Sequence, residues 1–149
     1  MHNTSLWTGG EVRTPRPRGP GDHETLSVQV FDIDVERVPD QPVVAHVFGP
    51  VDLLTAPALR LCVEDNAIDD NGLVLDFSRV NFLAASGLTV LTDTEDRAGR
   101  ENLTWALVAN SRPVIRPLDL LGLREYLPTY DSVPNAVTAV SSAVAAGAR

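Results

Sequence analysis

Hydrophobic and polar positions alternate over the first ordered stretch of the chain, LSVQVFDIDVERV, from Leu26 to Val38. This period of two, with a slip near Phe31, predicts a half-buried strand. A turn at residues 39–42 leads to a second strand, VVAHVFG, and so short a connection predicts an antiparallel hairpin. Three later runs, LVLDFS, LTWALVAN and part of YLPTYDS, are also predicted as strands. The first of them is continuously apolar, which is typical of a central strand covered on both faces.

Helical spacing of apolar residues appears between these strands. The first predicted helix follows Thr55 as N-cap, and its buried face comprises Leu59, Cys62, Val63 and Ala67. The second opens at Ser86 or Gly87 and runs to about Ala98, with Gly99 as its stop. Its apolar or small face comprises Gly87, Val90, Leu91, Thr94 and Ala98.

Two more helices complete the pattern. SRPVIRPLDLLG has Ser111 as cap and Gly122 as stop, and a kink or break is expected at Pro117 because proline removes a helical hydrogen bond. Ser132 caps the last helix, whose buried stripe is Val133, Val137, Val140 and Val144. Helices that alternate with strands imply crossovers and parallel pairs. The predicted fold is α/β: a small mixed sheet of four to five strands with about four helices packed against it.

Residues 1–25 differ from the rest, because they are rich in Gly, Pro and Arg and show no apolar period. They are predicted to be a disordered tail, and residues 26–149 a single domain. The charges of the tail cancel: three arginines (Arg13, Arg16 and Arg18) oppose three acids (Glu11, Asp22 and Glu24). The net charge of −8 therefore belongs to the domain. The arginines are interpreted as solvated, with a docking patch as the alternative.

The acidic balance disfavours binding to nucleic acid and to an anionic membrane surface, since both carry phosphate charge. All 12 basic residues are arginine. Cys62 is the only cysteine, which fits a reducing compartment, and its place in a helical stripe predicts a small buried apolar group. With no signal core and no apolar stretch long enough to span a bilayer, we expect a cytoplasmic protein.

Sequence motifs for catalysis and for phosphate or metal binding are absent: there is no G-x-S-x-G, no Walker A loop and no G-x-G-x-x-G. The histidines are His2, His23 and His46, and none is obviously placed to activate a serine. His46 is interpreted as a strand histidine, because no cluster of ligands at metal spacing accompanies it. We expect neither an enzyme nor a requirement for a metal or cofactor.

The stretch VNFLAASGLTVL contains one hydroxyl, that of Ser86, at a predicted strand–helix junction. One interpretation is an N-cap, worth about 1 kcal/mol. The other is a phosphoacceptor, since phosphate would add about −1.5 to −2 charges at a helix N-terminus that tolerates anions. The two interpretations are compatible.

Three blocks in order resemble the STAS domain of bacterial anti-sigma factor antagonists. They are GPVDLLTAPALR (49–60), LVLDFSRVNFLAASGLTVL (73–91) and SRPVIRPLDLLGLREYLPTYDSVPNAV (111–137), similar to the family's G-x-x-D-x-x-T-A segment, its D-S-S-G-L signature and its closing helix–strand–helix. The resemblance implies binding to an anti-sigma factor that is a GHKL-type serine kinase, with release of a sigma factor. It also implies that the kinase phosphorylates Ser86 to end binding and that a serine phosphatase restores it.

The resemblance further implies a set of partner-binding residues around Ser86, namely Gly49, Asp52, Thr55, Ala84, Ala85, Gly87 and Leu88. Two of these depart from the pattern, because D-S-S-G is here Ala84-Ala85-Ser86-Gly87. The loss of the aspartate leaves open a STAS scaffold or adaptor that is not phosphorylated. A ligand sensor and a separate soluble subunit of a transporter are further alternatives.

Overall fold

The structure is a computed structural model that describes residues 30–68 and 70–147. The predicted disordered tail, residues 1–25, lies outside the described residues. So do Leu26 and Val28 of the first predicted strand.

Five strands and four helices make up the described chain, in the order β1 (Asp32–Glu36), β2 (Val43–Val51), α1 (Ala56–Asn66), β3 (Leu73–Leu83), α2 (Ala85–Glu101), β4 (Trp105–Val108), α3 (Arg112–Leu120), β5 (Thr129–Tyr130) and α4 (Val133–Ala145). The strands form one sheet in the order β1-β2-β3-β4-β5. β1 is antiparallel to β2, which confirms the hairpin, and the other neighbours are parallel. The predicted small mixed α/β sheet is confirmed.

The helices are distributed unequally over the two faces of the sheet. α1, α2 and α3 share one core with inward residues of the strands, such as Ala45, Leu75 and Leu107. α4 covers the opposite face, where Ala136 and Val140 join a smaller cluster with Val44, Val74, Ala106 and Val108. Alternate residues of β3 thus enter different cores, which explains why LVLDFS is apolar without interruption. No helix in the described part of the chain is long and apolar enough to cross a membrane.

The predicted helix stripes are largely confirmed. Leu59, Cys62 and Val63 of α1 are buried, and burial raises the pKa of the Cys62 thiol to about 12, so it remains a protonated apolar group at neutral pH. Ser132 caps α4, accepting a hydrogen bond from the Asn135 N–H at 3.2 Å. Ser111 occupies the N-cap position of α3, but its hydroxyl makes no cap hydrogen bond and is buried with no partner in residues 30–68 and 70–147.

Two predicted helix ends differ from the structure: α3 has no break at Pro117, where a kink stays a prediction, and α2 passes Gly99. α3 runs unbroken through Pro117 to Leu120, because the fully buried side chains of Val114 and Leu118 anchor it on either side of the proline. α2 does not stop at Gly99 but continues to Glu101, and the left-handed residue that ends it is Asn102, with φ 57°. Asparagine is the residue other than glycine that adopts this conformation most readily.

An ion pair links β2 and β3 next to the cluster that packs against α4. His46 lies opposite Asp76, and its Nδ1 is 2.7 Å from the Asp76 carboxylate, while its Nε2 is 3.0 Å from Glu36. The bond to Asp76 outweighs desolvation and raises the pKa of His46 to about 9. Burial works to raise the pKa of Asp76, but hydrogen bonds from His46 and Ser78 lower it overall. The pair is therefore charged at neutral pH.

The pair makes stability depend on pH. The pKa of His46 is higher folded than unfolded, so its contribution is complete below pH 6.5 and is lost as pH rises through 9. We expect the free energy of unfolding to fall by about 2–3 kcal/mol between pH 6 and pH 9.5, measured by urea denaturation. In His46→Gln this decrease in the free energy of unfolding should disappear. A decrease above pH 9 that comes from ionisation of Cys62 in the unfolded chain should remain in both proteins. An equal decline in both proteins would contradict the assignment.

Replacing Gly99 is expected to stabilise the protein. Gly99 lies inside α2, and a Cβ there would meet nothing within 4 Å. Gly99→Ala should raise the free energy of unfolding by about 0.5–1 kcal/mol, because alanine loses less backbone entropy in a helix. Gly72→Ala is the control: φ is 96° there and a Cβ would lie 2.3 Å from Val140, so stability should fall. Denaturation curves that rank the two in reverse order would refute this account.

Candidate functional site

The predicted site lies where β2 and β3 extend past β4. β4 pairs with β3 only from Leu73 to Asp76, whereas β2 accompanies β3 as far as Leu83, with two shifts of register. The prediction that β3 ends with LVLDFS and turns at once is therefore wrong. β3 continues to Leu83 because β2 also runs on to Val51 and supplies hydrogen-bond partners. The sequence of β3 by itself did not reveal this pairing.

The loop from β2 to α1 is tied together by Asp52 and Thr55. The Asp52 carboxylate accepts hydrogen bonds from the backbone N–H of Leu54 at 3.0 Å and of Thr55 at 3.1 Å. The Thr55 hydroxyl accepts from the Asp52 N–H at 2.9 Å and donates to the Pro50 carbonyl at 2.8 Å. Thr55 holds the predicted N-cap position, but its hydroxyl closes the loop instead of capping α1.

The start of α2 packs directly against the end of β2. The Ala84 N–H donates to the Val51 carbonyl at 2.9 Å. Gly87, in the first turn, has no space for a larger side chain, because a Cβ would lie 2.5 Å from Val51 Cγ1 and 2.7 Å from Leu83 Cδ1. Glycine at this position therefore lets the β2–α1 loop and the β3–α2 junction lie side by side. The structure thus brings together two of the sequence blocks from which the site was predicted.

Ser86 is not the N-cap of α2. Ala84 is the N-cap, with extended backbone and no side-chain cap, so Ser86 is the second helical residue. Its side chain is half-buried, and its hydroxyl oxygen is buried with no hydrogen-bond partner among the described residues. The positive end of the α2 dipole lies at this position and favours negative charge. The cap interpretation is wrong, because α2 begins at Ala85, two residues before the Gly87 start that a cap at Ser86 would require.

The predicted partner-binding residues fall into two groups by exposure. Ala85 is exposed, and Asp52 and Ala84 are half-buried, as is Ser86. The others are buried, namely Gly49, Thr55, Gly87 and Leu88. Gly49 is explained by the backbone, since its φ is 89° and a Cβ would lie 2.2 Å from the Val30 carbonyl oxygen of the neighbouring chain segment. Direct contact of any of these residues with a partner stays a prediction.

Three exposed apolar side chains near the ends of β2 and β3 were not predicted, and they are here called the apolar rim: Leu53, Leu54 and Phe82. They are 78%, 74% and 53% exposed. Leu53 and Leu54 lie in the β2–α1 loop and belong to no strand or helix pattern. Two adjacent leucines in a predicted loop are the sequence feature that could have indicated this surface. Phe82 was hidden because the end of β3 was not predicted. Exposed apolar side chains grouped at one edge are typical of a surface that binds protein.

Acidic and imidazole groups do not assemble into a metal site in the described ranges: no set of three His, Cys, Asp or Glu is arranged to hold an ion. The sequence prediction of a strand histidine is consistent with the contacts of His46, which are to Asp76 and Glu36.

Comparison with known proteins connects this arrangement to one family. The family model described as the STAS domain matches residues 32–136. The anti-sigma-F factor antagonist RsfB of Mycobacterium tuberculosis is 32% identical over 98 residues, which are 65% of this chain and 80% of the relative. An anti-sigma factor antagonist from Mycobacterium paratuberculosis has a crystal structure that superimposes with a TM-score of 0.66 at 34% identity, covering 74% of this chain and 93% of that one.

A more distant structure supports the fold alone. The anti-sigma factor antagonist SpoIIAA in its unphosphorylated form superimposes with a TM-score of 0.61 at 18% identity, over 74% of this chain and 96% of its own. SpoIIAA of Bacillus has also been solved in its phosphorylated form, with a TM-score of 0.55 and 17% identity over 72% of this chain and 98% of its own. Because the family model spans most of the described residues and relatives above 30% identity align over most of their length, the chain belongs to the STAS domain family.

Proposed function

We propose that this protein is an anti-sigma factor antagonist that is switched off by phosphorylation of Ser86. It binds an anti-sigma factor that is also a GHKL-type serine kinase, which frees a sigma factor in the cytoplasm. A serine phosphatase removes the phosphate and restores binding. The protein acts by binding, not by catalysis. The names of the relatives above 30% identity support the antagonist role.

The single observation that supports the switch is the hydroxyl of Ser86. It is buried without a hydrogen-bond partner among the described residues, at the second position of a helix capped by Ala84. A buried hydroxyl that bonds nothing costs stability, on the order of 1–3 kcal/mol, and alanine would fill the same place more favourably. No contact with a described residue therefore requires serine here, as is also the case for the buried hydroxyls of Thr104 and Ser111. Phosphorylation would require a serine at this position, because the γ-phosphoryl group of ATP is transferred to the serine Oγ with loss of the hydroxyl proton.

Phosphate at Ser86 would act on the surface and spare the fold. The modification adds about −1.5 to −2 charges, which the N-terminus of α2 accommodates in the free protein. The same charge lies at the edge that carries the apolar rim. A partner that covers Leu53, Leu54 and Phe82 would have to remove the phosphate from water, which is strongly unfavourable without a cation. Release of the partner follows without refolding.

Transfer to Ser86 requires its side chain to turn outward, because the hydroxyl oxygen is buried. Rotation about a single bond suffices, since the residue itself is half-buried and Ala85 beside it is exposed. The absence of a carboxylate at Ala84 and Ala85 removes one source of repulsion against the incoming phosphate. It equally removes one contact for a kinase, which keeps the unphosphorylated STAS scaffold as the second candidate.

Mimicry of the phosphate should abolish binding. Ser86→Asp should weaken affinity for the anti-sigma factor by tenfold or more, about 1.4 kcal/mol, whereas Ser86→Ala should bind normally and gain no phosphate from kinase and ATP. Isothermal titration with each candidate anti-sigma factor of the source genome, and intact mass after kinase treatment, measure both effects. Ser132→Asp is the matched control, since it changes a serine at another helix N-terminus.

The outcomes separate the two candidate functions. Unchanged affinity of Ser86→Asp for a partner that wild type binds would identify a constitutive scaffold. An active kinase that leaves wild-type mass unchanged would remove the switch.

The apolar rim should be part of the binding surface. Leu53→Ser with Leu54→Ser should lower affinity for the anti-sigma factor about tenfold, because exposed apolar anchors supply much of the energy of an interface. Stability should change little, since both side chains are exposed. Leu120→Ser with Leu121→Ser is the control: these leucines are 76% and 62% exposed but lie at the end of α3. Equal losses of affinity in the two double variants would exclude the rim as a specific surface.

A further inference from the structure

A groove runs between α1 and α2. It has a volume of about 230 Å³, and the buried side chains of Val63, Val90 and Thr94 line it. The Thr94 hydroxyl donates to the Val90 carbonyl at 2.7 Å, so these three side chains present apolar surface to the groove. Asp93, which also lines the groove, is seven residues from Ser86 along α2. The groove therefore comes within about two helical turns, or about 10 Å, of the proposed phosphorylation site.

Positive charge is concentrated in this groove. Three of the eight arginines in the described ranges line it, namely Arg60, Arg97 and Arg100. Two acids, Glu64 and Asp93, line it as well. The whole chain, in contrast, has a net charge of −8. We call the site defined by the three arginines the arginine groove, and its charge favours an anionic ligand.

The guanidinium groups of the arginine groove retain hydrogen-bond donors. Arg60 Nη1 donates to the Asp93 carboxylate at 3.0 Å, and Arg97 Nε donates to the Glu101 carboxylate at 2.8 Å. Arg100 makes no ion pair with a residue in the ranges 30–68 and 70–147. Each guanidinium has five N–H donors, so most of them remain available. An exposed ion pair such as Arg60–Asp93 contributes little to stability and can be exchanged for an intermolecular pair.

The dimensions of the arginine groove indicate a protein segment and not a small molecule. Sites for small molecules bury most of their ligand and typically hold about 300–1,000 Å³. This groove is smaller, and Glu64, Asp93 and Arg100 along it are exposed. Guanidinium groups pair with carboxylates through two parallel hydrogen bonds, and a peptide segment can lie between two helices and offer several carboxylates in succession. An acidic peptide segment meets both requirements.

We propose that the arginine groove binds an acidic segment of the protein partner that covers the apolar rim. That this partner is the anti-sigma factor rests on the proposed function. α1 follows directly from the loop that holds Leu53 and Leu54, and α2 begins at Ala85 next to Ser86. Both helices thus lead from the proposed binding surface into the groove, so one partner can contact the two surfaces together.

The arginine groove gives the proposed switch a second mode of action. Phosphate at Ser86 would add negative charge about two helical turns from the groove. This separation is comparable to the Debye length, which is about 8–10 Å at moderate salt, so the phosphate would weaken the attraction between the groove and the acidic segment. The effect adds to the unfavourable removal of the phosphate from water by the apolar contact.

The test uses the full chain labelled with nitrogen-15 and a hexaglutamate peptide with blocked ends, at about 20 mM salt, where exposed charges interact over a longer distance. NMR spectra recorded during the titration should show the largest shift changes at the Nε–H signals of Arg60, Arg97 and Arg100. Hexaglutamine should cause no such changes, because it has the same length but no charge. The changes should vanish in about 1 M salt, which screens ion pairs of exposed groups.

Two double variants locate the binding. Arg97→Gln/Arg100→Gln should weaken hexaglutamate binding about fivefold or more, since two charge-assisted contacts are lost. Arg112→Gln/Arg116→Gln is the matched control: it removes the same charge from exposed arginines of α3, and the affinity should change less than about twofold. Equal weakening in both variants, shift changes spread evenly over the arginines, or no binding in wild type would each overturn the proposal.

A measurement on the partner keeps this proposal separable from the proposed function. For an anti-sigma factor that wild type binds, Arg97→Gln/Arg100→Gln should lower the affinity about fivefold in isothermal titration, and the α3 control should not. Unchanged affinity would show that the partner does not use the groove, which overturns the proposal. If no anti-sigma factor binds wild type, the proposed function fails, while hexaglutamate still decides whether the groove binds an acidic segment.

Discussion

The three parallel connections of this sheet all advance by one strand in the same direction, and a right-handed crossover can then place its helix on one face only. α1, α2 and α3 consequently share one core, and the opposite face is left to α4. Because β2, β3, β4 and β5 are parallel, their carboxyl ends point to one edge of the sheet. The β2–α1 loop and the start of α2 meet there, so the position of the candidate site follows from the parallel pairing of β2 and β3.

At that edge, the buried residues that fix the backbone are distinct from the exposed residues that contact solvent. Thr55 and Gly87 are buried and set the backbone: one closes a loop with its hydroxyl, and the other allows α2 to approach Val51. Leu53, Leu54 and Phe82 contribute exposed apolar area. Ser86 is intermediate in exposure, and its hydroxyl has no partner within the described part of the chain. A chemical change at this one side chain can therefore alter the surface while the buried supports keep the fold.

The face opposite the three crossover helices combines apolar packing with an ion pair. Val44 and Val74 pack beneath α4, but two residues further along the same strands His46 and Asp76 replace them. A protonated histidine between two carboxylates satisfies a buried Asp76 that would otherwise be an unpaired charge. The apolar pattern of β2 and β3 gives way to charge here because each charged group has a partner on the neighbouring strand.

The period of apolar residues along the sequence was sufficient to predict the α/β class, the hairpin and the stripes of α1 and α4. An element buried on one face repeats its apolar residues at its own period, and this repeat can be read directly from the sequence. Local signals failed where distant chain segments decide: β3 extends to Leu83 because β2 pairs with it, and Pro117 is tolerated because Val114 and Leu118 are buried around it. Ser86 was identified from its motif, yet its unpaired hydroxyl and second helical position were decided by the contact of α2 with Val51. The sequence by itself determined which elements form and which serine is singled out. Tertiary packing alone decided where those elements end and which side chains around Ser86 face solvent, since both depend on neighbours remote in the chain.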